Sequence, residues 1–394
     1  MKLIFSIFFA LFLCLSALAN NYSFPQSATY DFGIKPTALK EDMNQACQTA
    51  FIDWKTNYLT TEGCPAGAYR VHRSIAYDYD TVSEGIAWGM LICVLMENET
   101  NLTKKYFDGL WQYYQSYLNE KGLMSWKISR TGEITGKDSA TEANENVAMA
   151  LLYASKQWTD YQNINYYQEA RKIISQMMSH EVERKTFVLK PGSSWGGYKI
   201  TNPAYYDLAY YRIWKKIDPD WQNVIERGNK TYDYFYNNYQ TGLYPDWCVA
   251  DGTKTHLSYN FTYDACQVPL KQGIDYLWNG EGKKYLNKFT DWLAKKTDSK
   301  PAMILDGYRL EGMTIGKYHN AAFVGPACIA AMSAKNYQYW LDLLYEDLVN
   351  SETGGTWGYY PDTIRLISLL IVSGNMPNHW KPIEDKDPLL WQKS

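Results

Sequence analysis

The 394-residue chain has little of what metal, nucleotide or nucleic-acid chemistry requires. Its five histidines (His72, His180, His256, His319 and His379) are scattered, with no HExxH motif and no i, i+4 pair, which argues against a catalytic metal. No cysteines stand in CxxC spacing, so a zinc ribbon or thioredoxin-like motif is not expected. A G-x-S-x-G nucleophile elbow is missing, and with it the signature of a common serine-hydrolase class. Gly192-Ser193-Ser194-Trp195-Gly196-Gly197 has no following Lys-Ser/Thr and reads as a surface loop, not a phosphate cradle. Lys+Arg at 39 against Asp+Glu at 42, with no basic run, gives no footprint for nucleic acid or an anionic membrane. Beyond the N-terminus no stretch approaches the apolar length of a membrane span. No cofactor is implied by any of these patterns.

The N-terminal stretch is different. Lys2, the apolar run Leu3 to Leu18 and the Ala17-Leu18-Ala19 site read as a secretory signal peptide cleaved near Ala19. Bulky Leu13 before Cys14 argues against a lipidated cysteine. Export permits disulfides among Cys47, Cys64, Cys93, Cys248, Cys266 and Cys328 but does not require them. Cys93 and Cys328 lie in apolar runs and read as buried thiols, whereas Cys47–Cys64 and Cys248–Cys266 stay open as bridges.

What the chain does have is aromatics: 35 Tyr, 15 Trp and 13 Phe. Flat apolar faces carrying a polar handle suit a half-wet ligand such as a sugar, although Tyr at the rim of a helical core has the same composition.

Periodicity and punctuation give twelve helix-like segments near 39–59, 83–97, 102–119, 140–158, 164–180, 203–216, 218–239, 264–279, 281–297, 319–334, 336–350 and 361–374. Asp218-Pro219, Ser139 and Pro361 are start signals, Ser83 is the expected N-cap ahead of Glu84, and Gly374 is a stop. Strand-like alternation is short, as at Met124 to Ser129 and Phe187 to Leu189. Segments such as Ile86–Leu95, Val147–Ala154, Ala321–Met332 and Leu366–Val372 are apolar all round, while 102–119, 281–297 and 336–350 are amphipathic. This alternation predicts an all-α fold of six helical hairpins closing into an (α/α)6 barrel, with aromatic-rich loops forming a cleft. Residues 20–376 then make one catalytic domain, and 377–394, with Trp380 and Trp391, a loose tail.

Hydrolysis of a glycosidic bond needs two carboxyls, one protonated and one ionised near a water. Glu84 heads the most apolar helix, Asp264 is bracketed by aromatics, and Glu142 opens the helix that runs into Val147–Ala154. Each of the three can equally serve as an ordinary first-turn acid.

The motifs around these acids resemble glycoside hydrolase family 8. Thr81-Val82-Ser83-Glu84-Gly85 through Met90 is similar to the segment bearing that family's general acid, and Ser139–Ala148 to its S-A-T-D-x-D-x-D-x-A pattern. Gly242–Cys248, Tyr263–Pro269, His319–Pro326 and Tyr359–Asn375 follow in family order. The resemblance implies an inverting hydrolase of β-1,4-linked glucan, chitosan or xylan. Glu84 is then the acid, Asp264 the base, and Glu142 the group steadying the distorted sugar. Trp126, Tyr205, Tyr206, Tyr359 and Tyr360 fall at aromatic substrate-binding positions, with Gln267 beside the base.

Two departures stand out. Glu142, Asn144 and Asn146 replace three Asp, moving the first charge outward by roughly 1.5 Å. Gln267 replaces an Arg, so Asp264 is expected to titrate high, with tyrosine hydroxyls as its support. The expectation is a secreted, monomeric endo-β-1,4-glucanase acting on a polysaccharide, with glucan preferred over chitosan because Asn144 and Asn146 make the cleft less acidic. The alternatives are a non-catalytic glycan-binding protein, or the same chemistry on xylan or chitosan.

Overall fold

The computed structural model describes residues 22–159 and 164–381; the signal segment and Trp391 lie outside the described residues. Helices α1 (Lys40–Tyr58), α2 (Ser83–Leu95), α3 (Lys104–Ser116), α4 (Thr141–Gln157), α5 (Tyr166–His180) and α6 (Leu208–Trp214) fill the first half. The second half holds α7 (Trp221–Asn238), α8 (Val268–Asn279), α9 (Lys283–Lys296), α10 (Ala321–Ala331), α11 (Gln338–Asn350) and α12 (Tyr359–Ser373). All twelve coincide with the expected segments. The ends differ by a few residues, because segments 203–216 and 264–279 each open with a one-turn 3-10 piece, Pro203–Tyr205 and Ala265–Gln267.

Even-numbered helices form the inner ring. Contacts run α2 to α4, α6 to α8, α8 to α10, α10 to α12 and α12 back to α2. Side chains bridge the remaining gap, where Tyr211 of α6 donates to Glu145 of α4 and Lys271 of α8 reaches the same carboxylate. Each odd-numbered helix packs outside: α3 on α2, α5 on α4, α7 on α6, α9 on α8, α11 on α10 and α1 on α12. This is the (α/α)6 arrangement, and the sequence explains who stands where. In α2 and α10 the apolar residues surround the axis, and every residue except Glu84 is buried. Amphipathic helices such as α3, α7 and α9 bury one stripe and leave the rest in water.

Several start signals work differently from their local reading. Ser83 is already helical, Val82 precedes the helix, and the Ser83 hydroxyl is buried without a partner. Ser139 does not cap α4; its hydroxyl donates to Glu181 at 2.6 Å. Asp218-Pro219 turns the chain ahead of α7, and α12 starts two residues before Pro361. Gly374 ends α12 at φ 85° as expected. The strands are two or three residues long: β1 (Leu59–Thr60) pairs with β2 (Arg70–Val71), and β3 (Thr81–Val82), β4 (Lys127–Ile128) and β5 (Ile134–Gly136) form one antiparallel sheet. β6 (Val182–Glu183) pairs with β7 (Val188–Leu189).

Neither open bridge forms. All six described cysteines are free. Cys47 is committed to Ser373 of α12 at 3.4 Å, while Cys64 lies against the Thr60 carbonyl. Cys248 sits in backbone pairing with Thr201, and Cys266 faces the Tyr263 carbonyl and the Tyr360 hydroxyl. The described part of the tail is packed, not loose. Trp380 is buried against Tyr153, and its carbonyl accepts from Lys216.

Candidate active site

Glu84, Glu142 and Asp264 come together at one end of the barrel, because α2, α4 and α8 all begin there. Their mutual electrostatic influence shows it. Burial and then the Glu142 charge push the Glu84 carboxyl up to about 7, against opposing pulls from the Tyr359 hydroxyl, Arg73 and Lys271. Asp264 is raised well above the usual range by burial, then by Asp246, Glu142 and Glu84. The Tyr205 phenol is held neutral by burial and then by Asp264, Glu142 and Glu84, so it stands among all three acids.

Each acid has its own seat. Glu84 is half-buried in the first turn of α2 and accepts from the Tyr359 hydroxyl at 2.9 Å. Gly85 makes room for that hydroxyl, since a Cβ there would lie 2.9 Å from it. Glu142 is 5% exposed, its Oε1 has no hydrogen-bond partner, and Lys271 Nζ stands 4.0 Å away. Burial raises Glu142, while Lys271 and the Gln267 amide favour its ionised form.

Asp264 precedes the 3-10 turn that leads into α8. Asp246 fixes this turn by accepting from the Ala265 N–H at 3.0 Å, the Thr262 N–H at 3.1 Å and the hydroxyls of Thr262 and Ser258. The high titration of Asp264 agrees in direction with the missing Arg, but burial and neighbouring acids cause it. Its support is not tyrosine hydroxyls either. The side-chain amide of Asn202 favours its ionised form.

The aromatic expectations divide. Trp126 is 40% exposed, with its indole over Gly136, where a Cβ would come within 2.3 Å of the ring nitrogen. Its carbonyl accepts from the Ser83 N–H at 2.9 Å, tying it to the start of α2. Tyr360 donates to the Tyr263 carbonyl and accepts from Gln267 Nε2 at 2.9 Å. Tyr359 is buried but acts through its hydroxyl on Glu84. Tyr206 is a core residue: it is fully buried and its hydroxyl accepts from the Leu189 N–H, so it presents nothing to a cleft.

Asn144 and Asn146 are likewise interior. Asn144 donates to Glu181 at 2.8 Å and accepts from the Tyr114 hydroxyl at 2.7 Å. Asn146 donates to the Glu142 carbonyl and accepts from Tyr210. Because both face the core, they do not set the acidity of the cleft, and the argument for glucan over chitosan loses that basis.

Sequence reading missed the charged floor. Lys271 is 1% exposed and 3.1 Å from Glu145 Oε2; burial works against its charge, but Glu145, Glu142 and Asp207 outweigh it and hold the lysine charged. Its signal was a lysine in the otherwise apolar run Val268-Pro269-Leu270-Lys271. The hydroxyl of Ser83, Oε1 of Glu142 and Oε1 of Gln267 are buried and unpartnered. Among the described residues no group of three or more His, Cys, Asp or Glu could hold a metal, and no helix is long and apolar enough to cross a membrane.

The pattern described as Glycosyl hydrolases family 8 matches residues 24–374. Endoglucanase A of Acetivibrio thermocellus is 37% identical over 377 residues, covering 92% of this chain and 75% of that protein. Endoglucanase 2 of Ruminiclostridium josui is 35% identical over 388 residues, covering 96% and 82%. Among solved structures, the apo beta-1,3-1,4-glucanase from Paenibacillus sp. X4 superposes with a TM-score of 0.82 at 31% identity, covering 91% of this chain and 99% of that one. A reducing-end-xylose releasing exo-oligoxylanase, at 19% identity and TM-score 0.73, shares the fold.

Proposed function

The chain belongs to glycosyl hydrolases family 8, and from that premise we propose an endo-acting enzyme that cleaves β-1,4-linked glucan, cellulose-like or mixed-linkage, by inverting single displacement. Glu84 carries the reading. A half-buried carboxyl that keeps its proton to about 7, beside a second and third acid, is equipped to protonate a leaving glycosidic oxygen. Asp264 takes the proton of the attacking water, and its raised affinity for protons makes it the stronger base once ionised. Glu142, whose titration burial raises while Lys271 and Gln267 favour its ionised form, is assigned to the positive charge that develops on the sugar ring. Trp126, Tyr205 and Tyr360 supply aromatic surface along the bound chain, and Tyr359 steadies the acid. The Met1–Ala19 segment supports export to meet a polysaccharide outside the cytoplasm.

Release of reducing ends from carboxymethyl cellulose, lichenan, xylan and chitosan tests this reading. The expected result is release from the two glucans, with Glu84→Gln slower by about 10²–10⁴. Binding without release on all four would favour a glycan-binding protein. Faster turnover of xylan or chitosan would reassign the substrate.

A further inference from the structure

Aspartates are rarely buried without a partner, and Asp246 is 1% exposed. Its Oδ1 accepts from the N–H groups of Thr262 at 3.1 Å and Ala265 at 3.0 Å. Its Oδ2 accepts from the hydroxyls of Ser258, at 2.7 Å, and of Thr262. Four donors on two oxygens complement an ionised carboxylate, which has no proton to give.

The two N–H groups bracket the base. Thr262 lies two residues before Asp264, and the Ala265 N–H belongs to the peptide unit that Asp264 begins. Because that unit is planar, fixing its N–H also fixes the Asp264 carbonyl. The Cys266 N–H on the Thr262 carbonyl, at 2.9 Å, and the Gln267 N–H on the Asp264 carbonyl, at 3.3 Å, close the turn. Asp246 is itself anchored. Its own N–H donates to the Asn260 carbonyl at 2.8 Å, and the Trp247 N–H to the Ser258 carbonyl at 3.0 Å. The base therefore stands on a turn tied to Asp246 from both sides.

A neutral residue could do this much. An asparagine accepts through its oxygen and donates to hydroxyls through its nitrogen, and it avoids burying a charge. What it lacks is the charge itself, which acts on Asp264. After burial, Asp246 is the largest influence that raises Asp264, ahead of Glu142 of α4 and Glu84 of α2, with the Asn202 amide opposing them. The Tyr205 phenol and the Cys266 thiol also face this acid, and burial first of all keeps both protonated. A base that binds its proton more tightly draws one from water more strongly in the transition state.

We propose that Asp246 is the positioning residue of the base: it holds the turn that carries Asp264, and its buried charge makes Asp264 the stronger proton acceptor. The inference rests on the function proposed above and adds to it what sets the strength of the base.

The test is the pH profile of kcat and kcat/KM for Asp246→Asn on lichenan, beside wild type and Asp264→Asn, with thermal unfolding as a check on folding. Loss of the charge should move the acid limb to lower pH, and kcat on the plateau should fall about ten-fold with KM little changed. Asp246→Glu keeps the charge and should leave the limb at its wild-type pH. That variant also decides the matter if Asp246→Asn does not fold, because a limb that drops with the charge in place overturns the proposal. In Asp246→Asn, a limb that stays or moves up overturns it whatever the loss of rate, since a purely structural role costs rate or stability alone. Wild-type turnover that Asp264→Asn abolishes then keeps the parent reading. An active Asp264→Asn, or a wild type without turnover, overturns both.

Discussion

A carboxyl that holds its proton to about 7 closes the pH window of activity from above. The kcat/KM profile should rise as Asp264 ionises, at a pH above the ordinary aspartate range, and fall through about 7 as Glu84 loses its proton. Tyr359→Phe removes a hydrogen bond that favours ionised Glu84, so the alkaline limb should move to higher pH. A limb that stays in place would mean that another group sets it. Glu181 makes a separate case. Burial pushes it up to about 7, against the hydrogen bonds that its Oε1 accepts from Ser139 and Asn144, and its Oε2 has no partner. Asn144 is thus fitted to Glu181, and Asn144→Asp would set a second carboxyl against it in place of an amide donor. That change should destabilise the fold by about 1–3 kcal/mol in chemical denaturation. An unchanged midpoint would contradict the pairing.

Helix pairs of the inner ring approach closely where glycine permits. A Cβ on Gly325 of α10 would lie 2.3 Å from Ser368 Oγ and 2.9 Å from its Cβ on α12. Gly325→Ala should therefore lower stability by about 1–3 kcal/mol in urea titration. A neutral outcome would mean that the two helices can part without loss. The helices themselves were legible because the chain writes inner and outer ones differently, apolar all round in α2 and α10 and striped in α3 and α9. Their ends were less so. Ser83 and Ser139 have the residue type of a cap, but tertiary partners or burial claim their hydroxyls, and no local pattern reports a partner supplied by another helix.

At the scale of the whole molecule, one continuous core runs from Phe24 to Trp380, with acids buried inside the ring. Glu181 and Asp207 each bind protons up to about 7, far above their unfolded values. Their contribution to stability is full below the unfolded carboxylate range and is lost as pH rises toward 7. Thermal unfolding should accordingly give a higher Tm near pH 5 than near pH 8, and Glu181→Gln should flatten that slope. A Tm that climbs with pH over this range would contradict the assignment of neutral buried acids.

The gathering of Glu84, Glu142 and Asp264 was legible through their motifs, since each opens a helix whose start faces the same end. Tyr206 was not, because adjacent tyrosines read alike in sequence while one faces the site and its neighbour the core. Lys271 was missed because its partners Glu145 and Glu142 come from another helix.

The central claim is inversion by Glu84 and Asp264, and proton NMR of the first products from a cello-oligosaccharide tests it most directly. A water placed by Asp264 opposite the departing oxygen requires the new reducing ends to appear first as the α-anomer, before mutarotation mixes them. β-anomers appearing first would contradict the account, because they would require a covalent intermediate and a carboxylate acting as nucleophile instead of base.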